Sequence, residues 1–577
     1  MKQNFKKRGQ KLAKRWENFS QKASEGSKEH IQENFIGRLQ NAKRVRLLIL
    51  EWCLLIVVIV SLALTQAFWY DQSYSKEVHI GGGAYIEGTI GKVNSLNPLF
   101  AVTNSEKALS KLMFARLATV DYSGHIGLGL AASVVPDETG KVWTVTLKDD
   151  LRWSDGEPIT IEDVLYTVNV TKDTSINTSY STNFSGVKVA ATDDTITFTL
   201  PTAYVDFPST LDMPILPAHI LADVQPSMLL EHSFSTNPVT SGAFTFNATQ
   251  SNATSSSDSE KIIYLAANEN YYRGKPMLNS FAIHTYDDSS QIIDGLSSGE
   301  ITATAELSMA DGTLSTELVN RRQTTIANGV YAFLNTTSPA LENVAVRQAI
   351  QKGIDMQAIL EHLDGEDALQ YPILSTEIEL GEYPALPDYD FAAAKAEIAN
   401  EASVKELSLA TINTGYFPEL IEEFADQLTK LGFTVETEIY EPGQEFLRDV
   451  VRQRAYDILI YEVELGPNPD LFAYYHSSQA TTSGLNLSNY YNSLVDDLIL
   501  SARTTMNEEA RAAKYESFLR HWVNDVPAIG IYQASLTYYY HKNARAFSED
   551  NRLVYATDRF EDVDYWAVNR AKRNRTP

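Results

Sequence analysis

The sequence is poor in cysteine and, beyond its first segment, poor in basic residues. Cys53 is the only cysteine among 577 residues, so no intrachain disulfide can form. That absence is typical of a reducing compartment, or of an exported protein large enough to fold without crosslinks. Residues 1–46 hold 13 Lys/Arg and 4 Asp/Glu, whereas the whole chain has a net charge of -26. The acidic remainder would be repelled by a phosphate backbone, which excludes nucleic acid as a partner.

The sequence also lacks motifs of two common enzyme classes. It contains neither the His-Glu-x-x-His pair of zinc proteases nor a phosphate-binding loop. Histidines are few, and His219, His232, His284 and His476 are scattered along the chain, so surface or core positions are expected for them rather than metal ligation. These absences predict a protein that is not an enzyme and that uses no cofactor or metal.

One long hydrophobic run is present. LLILEWCLLIVVIVSLALTQAFWY, Leu47 to Tyr70, is long enough for a helix that crosses a bilayer, which takes about 20 residues. Basic residues precede the run and an aromatic triplet ends it, a pattern that places the N-terminus on the cytoplasmic side. No small-residue cleavage site follows, so a retained anchor is favoured over a cleaved signal peptide. We therefore expect a single-pass protein of the cell membrane, with a basic cytoplasmic leader at 1–46 and an extracytoplasmic bulk.

A cluster of carboxylates occurs in LRWSDGEPITIEDVLYTVN, Leu151 to Asn169. Asp155-Gly156 is a favoured turn dipeptide, and Thr160 followed by Asp163 matches a helix N-cap with an acid three residues later. Apolar residues then recur at helical spacing. The stretch therefore predicts scaffold, a turn and then a helix, in preference to an acid/base or metal site.

The rest of the chain shows strand and helix patterns in alternation. TNFSGVKVAATDDTITFTLPT predicts a hairpin, and NATQSNATSSSDSE predicts a polar loop between two hairpin strands. ENVAVRQAIQKGI and YDFAAAKAEIANEA predict helices, and ELSLATIN predicts a strand. FPELIEEFADQLTKLGFTVETEIY predicts a helix that ends at Gly432 and then a strand. This alternation predicts an α/β fold.

Seven segments, in order, resemble one protein family. They are LNPLF from Leu96, WTVTLKDDLRWSDGEPITIEDVLYTVN from Trp143, PVTSGAF from Pro238, NENYYRGKPML from Asn268, VRQAIQKGID from Val346, GPNPDLFAYYHSSQ from Gly466 and VPAIGIY from Val526. Together they resemble the extracytoplasmic solute-binding proteins of ABC importers, in the peptide/nickel-binding class that includes oligopeptide- and dipeptide-binding proteins. The resemblance covers about Val78 to Asp564.

The resemblance implies a two-lobed, periplasmic-binding-protein-like clamshell of type II, whose α/β lobes close on a ligand by hinge motion. The implied segments are a leader 1–46, a transmembrane helix 47–70, lobe I 78–332 with an inserted subdomain at about 119–189, lobe II 333–525, a return to lobe I at 526–565 and a basic tail 566–577. The transmembrane anchor departs from the family, in which a lipid anchor or a free periplasmic form is usual.

The implied function is capture of an oligopeptide or dipeptide and its delivery to the permease and ATPase subunits of an ABC importer, by a protein expected to be a monomer. Two alternatives use the same clamshell. One is a ligand-sensing receptor or scaffold, and the other is binding of a non-peptide solute such as a metal chelate or a glycopeptide. The leader contains no recognisable output domain, which favours import over sensing.

The resemblance also implies where the ligand is anchored. Peptide-binding relatives carry an acid just before a Pro-Asp motif, where it pairs with the α-ammonium of the peptide. In YEVELGPNPDLF the acids are Glu462, Glu464 and Asp470. Glu464 is the first choice because it lies closest to the acid of the relatives, and Asp470 is alternatively a cap for the helix that follows. The other predicted ligand contacts are Tyr461, Asn468, Asn97, Tyr331 and Asn486.

Overall fold

The computed structural model describes residues 46–176, 178–181, 183–192, 194–251, 260–307, 314, 318–361, 363, 367–373, 380–441, 443–466, 470–546 and 552–574. The chain divides into two compact units. One comprises Met1–Val78 together with Arg570–Pro577, and the other comprises His79–Asn569. The second unit contains both lobes and the cleft between them.

The strands are distributed along the chain beyond the first helix. They are β1 Ser75–Ile80, β2 Ala84–Ile90, β3 Ala118–Val120, β4 Ile126–Leu128, β5 Ala131–Pro136, β6 Val142–Leu147, β7 Lys188–Ala191, β8 Thr195–Thr199, β9 Phe244–Ser251, β10 Lys261–Ala267, β11 Ser280–Tyr286, β12 Ala303–Thr304, β13 Val319–Leu334, β14 Asp367–Ala368, β15 Glu406–Ile412, β16 Thr434–Tyr440, β17 Ile458–Glu464, β18 Ala528–His541 and β19 Asn569–Asn574.

The helices are concentrated in the second half of the chain. They are α1 Arg46–Tyr74, α2 Asn104–Met113, α3 Ile161–Thr171, α4 Ala218–Leu221, α5 Ser289–Ser298, α6 Val344–Gly353, α7 Met356–Leu360, α8 Phe391–Glu401, α9 Phe417–Leu431, α10 Gln444–Phe446, α11 Phe472–Tyr475, α12 Ser493–Thr504 and α13 Glu508–Asp525. Helices α6, α8 and α9 and strands β15 and β16 confirm the predicted alternation. Gly432 ends α9 in the left-handed conformation, as the sequence predicts.

The first unit contains α1, which is 29 residues long, and residues of the strand pair β1 and β19. Large apolar side chains of α1 are exposed, for example Leu54 and Trp69. Within the part of the chain that the structure describes, no helix reaches the length and hydropathy of a membrane span. The transmembrane segment 47–70 therefore stays a prediction.

An 11-stranded sheet extends through the second unit, in the order β16-β15-β17-β13-β18-β12-β2-β11-β10-β9, with β14 paired to β18. Strands β2 and β9 to β12 belong to lobe I, and strands β15 to β17 belong to lobe II. Each lobe has parallel strands, β2 beside β11 and β15 beside β16. Strands β9 and β10 form the predicted hairpin, whose connecting loop lies mainly outside the described residues.

Strands β13 and β18 belong to both lobes. Residues Val319–Thr325 of β13 pair with β18 in lobe I, and residues Gly329–Phe333 pair with it in lobe II. The register shifts between these two stretches, and there the Nε2 of Gln533 donates to the carbonyl of Ile326 at 2.9 Å. The ladder between β13 and β18 is thus interrupted at 326–328, between its lobe I and lobe II stretches. The predicted lobe boundary at 332/333 falls a few residues later, inside β13.

The subdomain has a four-stranded sheet in the order β5-β6-β8-β7, with α3 packed against β7 and β8. Helix α3 begins with the predicted capping box, because the backbone N–H of Thr160 donates to Oδ2 of Asp163 at 2.8 Å. Oδ1 of Asp163 also accepts from the N–H of Ala218 at 2.7 Å, so this buried acid joins the subdomain to lobe I. The carboxylate-rich stretch is scaffold, as predicted. The subdomain extends past the predicted end at 189, because β8 completes its sheet.

Each lobe has its own core. In lobe I the ring of Trp566 lies 5.1 Å from that of Tyr85 and has no exposed surface. The predicted basic tail at 566–577 therefore begins too early. In lobe II, α6, α8 and α9 cover one face of the sheet, and Trp522 of α13 packs on the other face beside Tyr475.

Candidate ligand-binding cleft

A cavity of about 490 Å³ lies between lobe I, the subdomain and lobe II. Lobe I contributes α2 and residues after β12 and β18, and lobe II contributes the end of β17. Its charged lining residues are Lys107, Lys111, Arg116, Asp212, Glu306, Glu462, Glu464 and Arg559. A cavity of this size can hold a small hydrophilic ligand, and its charged groups would fix the orientation of that ligand.

The wall from lobe II carries two carboxylates on one face of β17. Glu462 and Glu464 lie two residues apart on the strand, so both side chains reach the cavity. Asn328 donates from Nδ2 to Oε1 of Glu462 at 2.6 Å. Burial raises the pKa of Glu462, the charge of Glu464 acts in the same direction, and the bond from Asn328 opposes them. Glu464 is exposed, and only its backbone carbonyl accepts a hydrogen bond, from the hydroxyl of Tyr474, among the described residues.

The base of the cleft is a buried ion cluster. Nζ of Lys111 lies 3.0 Å from Oδ1 of Asp558 and 3.9 Å from Oδ1 of Asp212, and it also pairs with Glu561. Nε of Arg116 lies 2.8 Å from Oδ1 of Asp212. Burial by itself lowers the pKa of Lys111, but the three carboxylates outweigh it and hold that pKa above its usual value. Lys111 therefore stays charged, and its charge is already neutralised.

A second buried ion pair lies on the lobe I side. Arg559 pairs with Glu87, which also accepts from the hydroxyl of Tyr538 at 2.6 Å, and neither charged group is exposed to an appreciable degree. Glu306, which follows β12, lines the cavity nearby. Burial raises the pKa of Glu306 to about 7, although Arg559 and the amide of Asn104 act to lower it.

Three predicted ligand contacts lie in the protein interior. Tyr331 has no exposed surface and donates its hydroxyl to the carbonyl of Tyr371 at 3.3 Å. Asn97 caps the turn Pro98–Phe100, and Asn486 is fully buried and bonds Tyr490. These side chains shape the lobes and do not reach the cavity of the described structure, contrary to the prediction.

Two further predictions have different outcomes. Tyr461 is half-buried and packs on the ring of Phe446 at 5.8 Å, away from the cavity lining. Asn468 lies outside the described residues. Of the eight predicted residues, the structure therefore brings Glu462 and Glu464 together at the cavity.

Asp470 lies at a contact between lobe II and the subdomain, not in the cavity lining. Its Oδ1 accepts from the N–H of Phe472 at 3.2 Å in a turn just before α11, but the N-cap of that helix is Leu471, so Asp470 is not the helix cap that the alternative proposed. Its Oδ2 lies 3.1 Å from Nε of Arg503 and accepts from the hydroxyl of Tyr204 at 3.0 Å. Tyr204 belongs to the subdomain, so this carboxylate joins the two lobes.

We call this contact the rim contact, formed by Tyr204 and Val205 of the subdomain with Asp470 and Arg503 of lobe II. The N–H of Val205 donates to the carbonyl of Arg503 at 3.0 Å, and the Arg503 guanidinium lies 4.7 Å from the ring centroid of Tyr204. Met506, just beyond α12, packs against the subdomain core. Two hydrogen bonds, a cation–π contact and apolar packing thus connect the subdomain to lobe II, and the salt bridge between Asp470 and Arg503 orders the lobe II side of the rim contact.

Several cleft residues have no motif that could reveal them in the sequence. Lys111, Asp212, Glu306 and Arg559 come from four separated segments, and only the fold brings them together. A weak signal is present for Lys111, which lies between the buried residues Ser110 and Leu112 on α2.

A sequence match to a hydrolase motif lies in a helix and its cap. Gly295 to Gly299 matches the Gly-x-Ser-x-Gly pattern of serine hydrolases, yet it forms the end of α5, with Gly299 at φ 80° as the helix cap. Ser297 is therefore not at a strand-to-helix turn. Groups of three or more residues able to hold a metal ion are absent from the described part of the chain.

Comparison with known proteins gives one consistent relationship. Residues 125–484 match the family described as bacterial extracellular solute-binding proteins, family 5 Middle. The oligopeptide-binding protein AppA of Bacillus subtilis is 24% identical over 479 residues, which are 78% of this chain and 86% of that protein. The structure of AppA from Bacillus subtilis with a nonapeptide has a TM-score of 0.67 at 22% identity and covers 85% of this chain and 100% of AppA. NikZ from Campylobacter jejuni with Ni(L-His) has a TM-score of 0.70 at 20% identity, over 84% and 99%.

Proposed function

Since the chain belongs to the bacterial extracellular solute-binding proteins of family 5, the peptide- and nickel-binding class of ABC importers, we propose that it captures peptides between its lobes and delivers them to an importer. Its partners would be the permease and ATPase subunits. It would act by binding, with no catalytic step.

The observation that carries the proposal is the pair of carboxylates on β17 at the wall of the cavity. A peptide enclosed between the lobes loses water from its α-ammonium, and an unpaired buried charge costs several kcal/mol. Glu462 and Glu464 supply the opposite charge. Lys111, Arg116 and Arg559 are paired with other acids, and the fourth base of the cleft, Lys107, is exposed on α2, so within the described residues none of them pairs with these two carboxylates.

We expect the two lobes to close on the ligand by rotating about the β13–β18 ladder. A ligand that contacts Glu464 of lobe II and α2 of lobe I gains both sets of contacts only when the lobes meet. The interrupted ladder at 326–328 lets one lobe rotate against the other without breaking the pairing on either side. Ligand binding and closure are then one coupled equilibrium.

The test is to identify what the protein carries. Native mass spectrometry of gently purified protein should show bound peptide, and added peptide should raise the melting temperature. A retained metal chelate or glycopeptide with no peptide binding would instead favour the non-peptide alternative. Co-purification with permease and ATPase subunits separates import from sensing, since a receptor or scaffold would not bring them along.

We also propose that α1 anchors the protein in the cell membrane, with residues before Leu47 in the cytoplasm. What supports this proposal is the apolar sequence Leu47 to Tyr70, the exposed apolar side chains of α1 and the basic residues before it. Protease added to intact cells should remove the acidic bulk and leave the leader protected. A soluble mature protein beginning near Asp71 would contradict the anchor.

A further inference from the structure

The charges of the cleft are unevenly paired. Four basic side chains line it, and three of them are neutralised by acids: Lys111 by the ion cluster at the base, Arg116 by Asp212 and Arg559 by Glu87. The fourth, Lys107, is exposed on α2. These pairings leave the carboxylates of β17 and Glu306 without a cation of their own among the described residues.

Glu306 is the unmatched carboxylate on the lobe I side. Within the described part of the chain its carboxylate has one hydrogen bond, from Nδ2 of Asn104, and at 3.5 Å that bond is long. The charged groups that act on it are Arg559 and Glu87, which already pair with each other. Its side chain is half-buried at the cavity, so solvent screens it only in part.

We infer that Glu306 binds a second positive charge of the ligand, so that the cleft selects peptides with a lysine or arginine side chain besides their α-ammonium. This inference rests on the proposed function. The two anchors lie in different lobes, Glu464 on β17 and Glu306 after β12. A ligand with two positive charges would therefore bridge the lobes and add an attraction that exists only in the closed state.

The protonation of Glu306 gives the inference an independent readout. With a pKa of about 7, the carboxyl is partly protonated in the empty cleft at neutral pH. A bound ammonium or guanidinium group favours the ionised form, so binding must release a proton. The pKa of Glu462 is also raised, so peptide binding at β17 can release a proton there as well. The proton from Glu306 is then the additional release that a lysine peptide shows over its norleucine counterpart.

The experiment compares alanine tetrapeptides that carry one lysine at position 2, 3 or 4 with the same peptides carrying norleucine. Calorimetry on the full chain should show at least one lysine peptide binding roughly tenfold to a hundredfold more tightly than its norleucine counterpart. In Glu306→Gln this preference should fall to about threefold or less. Glu157→Gln, which removes an exposed acid of the subdomain, should retain the full preference.

Titrations at pH 7 in buffers of different ionisation enthalpy should show more proton release with the preferred lysine peptide than with its norleucine counterpart, and this excess should be absent in Glu306→Gln. Equal binding of lysine and norleucine peptides by the wild type would overturn the inference and leave peptide binding intact. A preference that persists in Glu306→Gln, or tight binding without this excess proton release, would also overturn it. Failure of every peptide to bind would overturn the proposed function and this inference with it.

Discussion

Glu462 and Glu464 differ in environment although they lie on the same face of β17. Glu462 already accepts a short hydrogen bond from Asn328. Burial also raises its pKa, which disfavours the ionised form that a ligand ammonium would bind. Glu464 is exposed at the cavity, and the structure shows no partner for its carboxylate among the described residues. A ligand ammonium would therefore gain most from Glu464.

Glu464→Gln keeps the shape of the side chain and removes its charge. We expect peptide binding to weaken by about 3 kcal/mol, roughly a hundredfold, through faster dissociation. N-acetylated peptide should lose affinity for the wild type and show little further loss on the variant, whereas Glu462→Gln should have the smaller effect. Surface plasmon resonance measures both rates. Equal affinity of free and acetylated peptides for the wild type would remove the ammonium anchor.

The raised pKa of Glu306 predicts a pH-dependent stability in the ligand-free protein. Glu306 binds its proton more tightly in the folded chain than in the unfolded chain, where its pKa is 4.5. The resulting stabilisation is therefore fully present below pH 4.5 and is lost as pH rises through about 7. Glu306→Gln resembles the protonated form. It should match the wild type at pH 4.5 and exceed its free energy of unfolding by on the order of 1–3 kcal/mol at pH 8.

Urea unfolding at several pH values measures that difference, and Glu157→Gln, which removes an exposed acid of the subdomain, is the matched control. A constant difference between Glu306→Gln and the wild type across this range would show that Glu306 does not titrate there.

At the scale of single elements, the segment PVTSGAF from Pro238 contains a glycine, Gly242, whose position leaves no room for a side chain. A Cβ on Gly242 would lie 2.5 Å from the backbone carbon of Met113 and 2.6 Å from the nitrogen of Phe114, at the end of α2. Neither backbone atom can move without displacing the helix that carries Lys111. The segment thus holds α2 against the strand β9 that follows it.

Gly242→Ala should lower the free energy of unfolding by about 1–3 kcal/mol, because the added methyl group overpacks a backbone contact. Gly381→Ala is a suitable control, since the nearest atom there is Oε1 of Glu516, the end of a flexible side chain, at 3.2 Å. Chemical denaturation of both variants gives the comparison. Equal stability of the two would contradict the steric explanation.

Local features of the elements could be predicted from the sequence, and long-range ones could not. The Thr160–Asp163 capping box and the end of α9 at Gly432 depend on a few neighbouring residues, so their patterns are readable. The pairing of β13 with β18 joins residues about 200 positions apart, and nothing in either strand specifies the other. Tyr331 shows the consequence, because its strand is covered on the face it occupies by helices from much later in the chain.

The residues of the candidate site also divide into those that a local sequence pattern indicates and those that only the fold brings together. The resemblance points to Glu462 and Glu464 because they precede a recognisable loop, and the structure places both on one strand at the cavity wall. Glu306 and the ion cluster of Lys111 could not be predicted, since each charge is matched or left unmatched only after the lobes and the subdomain are assembled. Asp470 lies in the predicted segment, but its carboxylate contacts Tyr204 and Arg503 at the rim contact and does not line the cavity.

At the scale of the whole second unit, the described residues of the lobes face each other across the cleft and meet at the rim contact. The cleft depends on ligand, but the rim contact forms between protein groups alone. A hydrogen bond that exists only in the closed state shifts the equilibrium between open and closed forms whether or not ligand is bound. The rim contact should therefore slow the release of ligand.

Tyr204→Phe tests this role, because it removes the hydroxyl that donates to Asp470 and keeps the ring under Arg503. We expect the closed state to lose about 1–2 kcal/mol, so that peptide dissociates roughly fivefold to thirtyfold faster while the association rate changes little. Tyr166→Phe is the matched control, since its hydroxyl donates to the carbonyl of Leu221 at 2.9 Å on the same side of the cleft. Stopped-flow dissociation of a bound peptide measures the effect. Equal acceleration by the two variants would mean that general destabilisation, not loss of a bond between the lobes, releases the ligand.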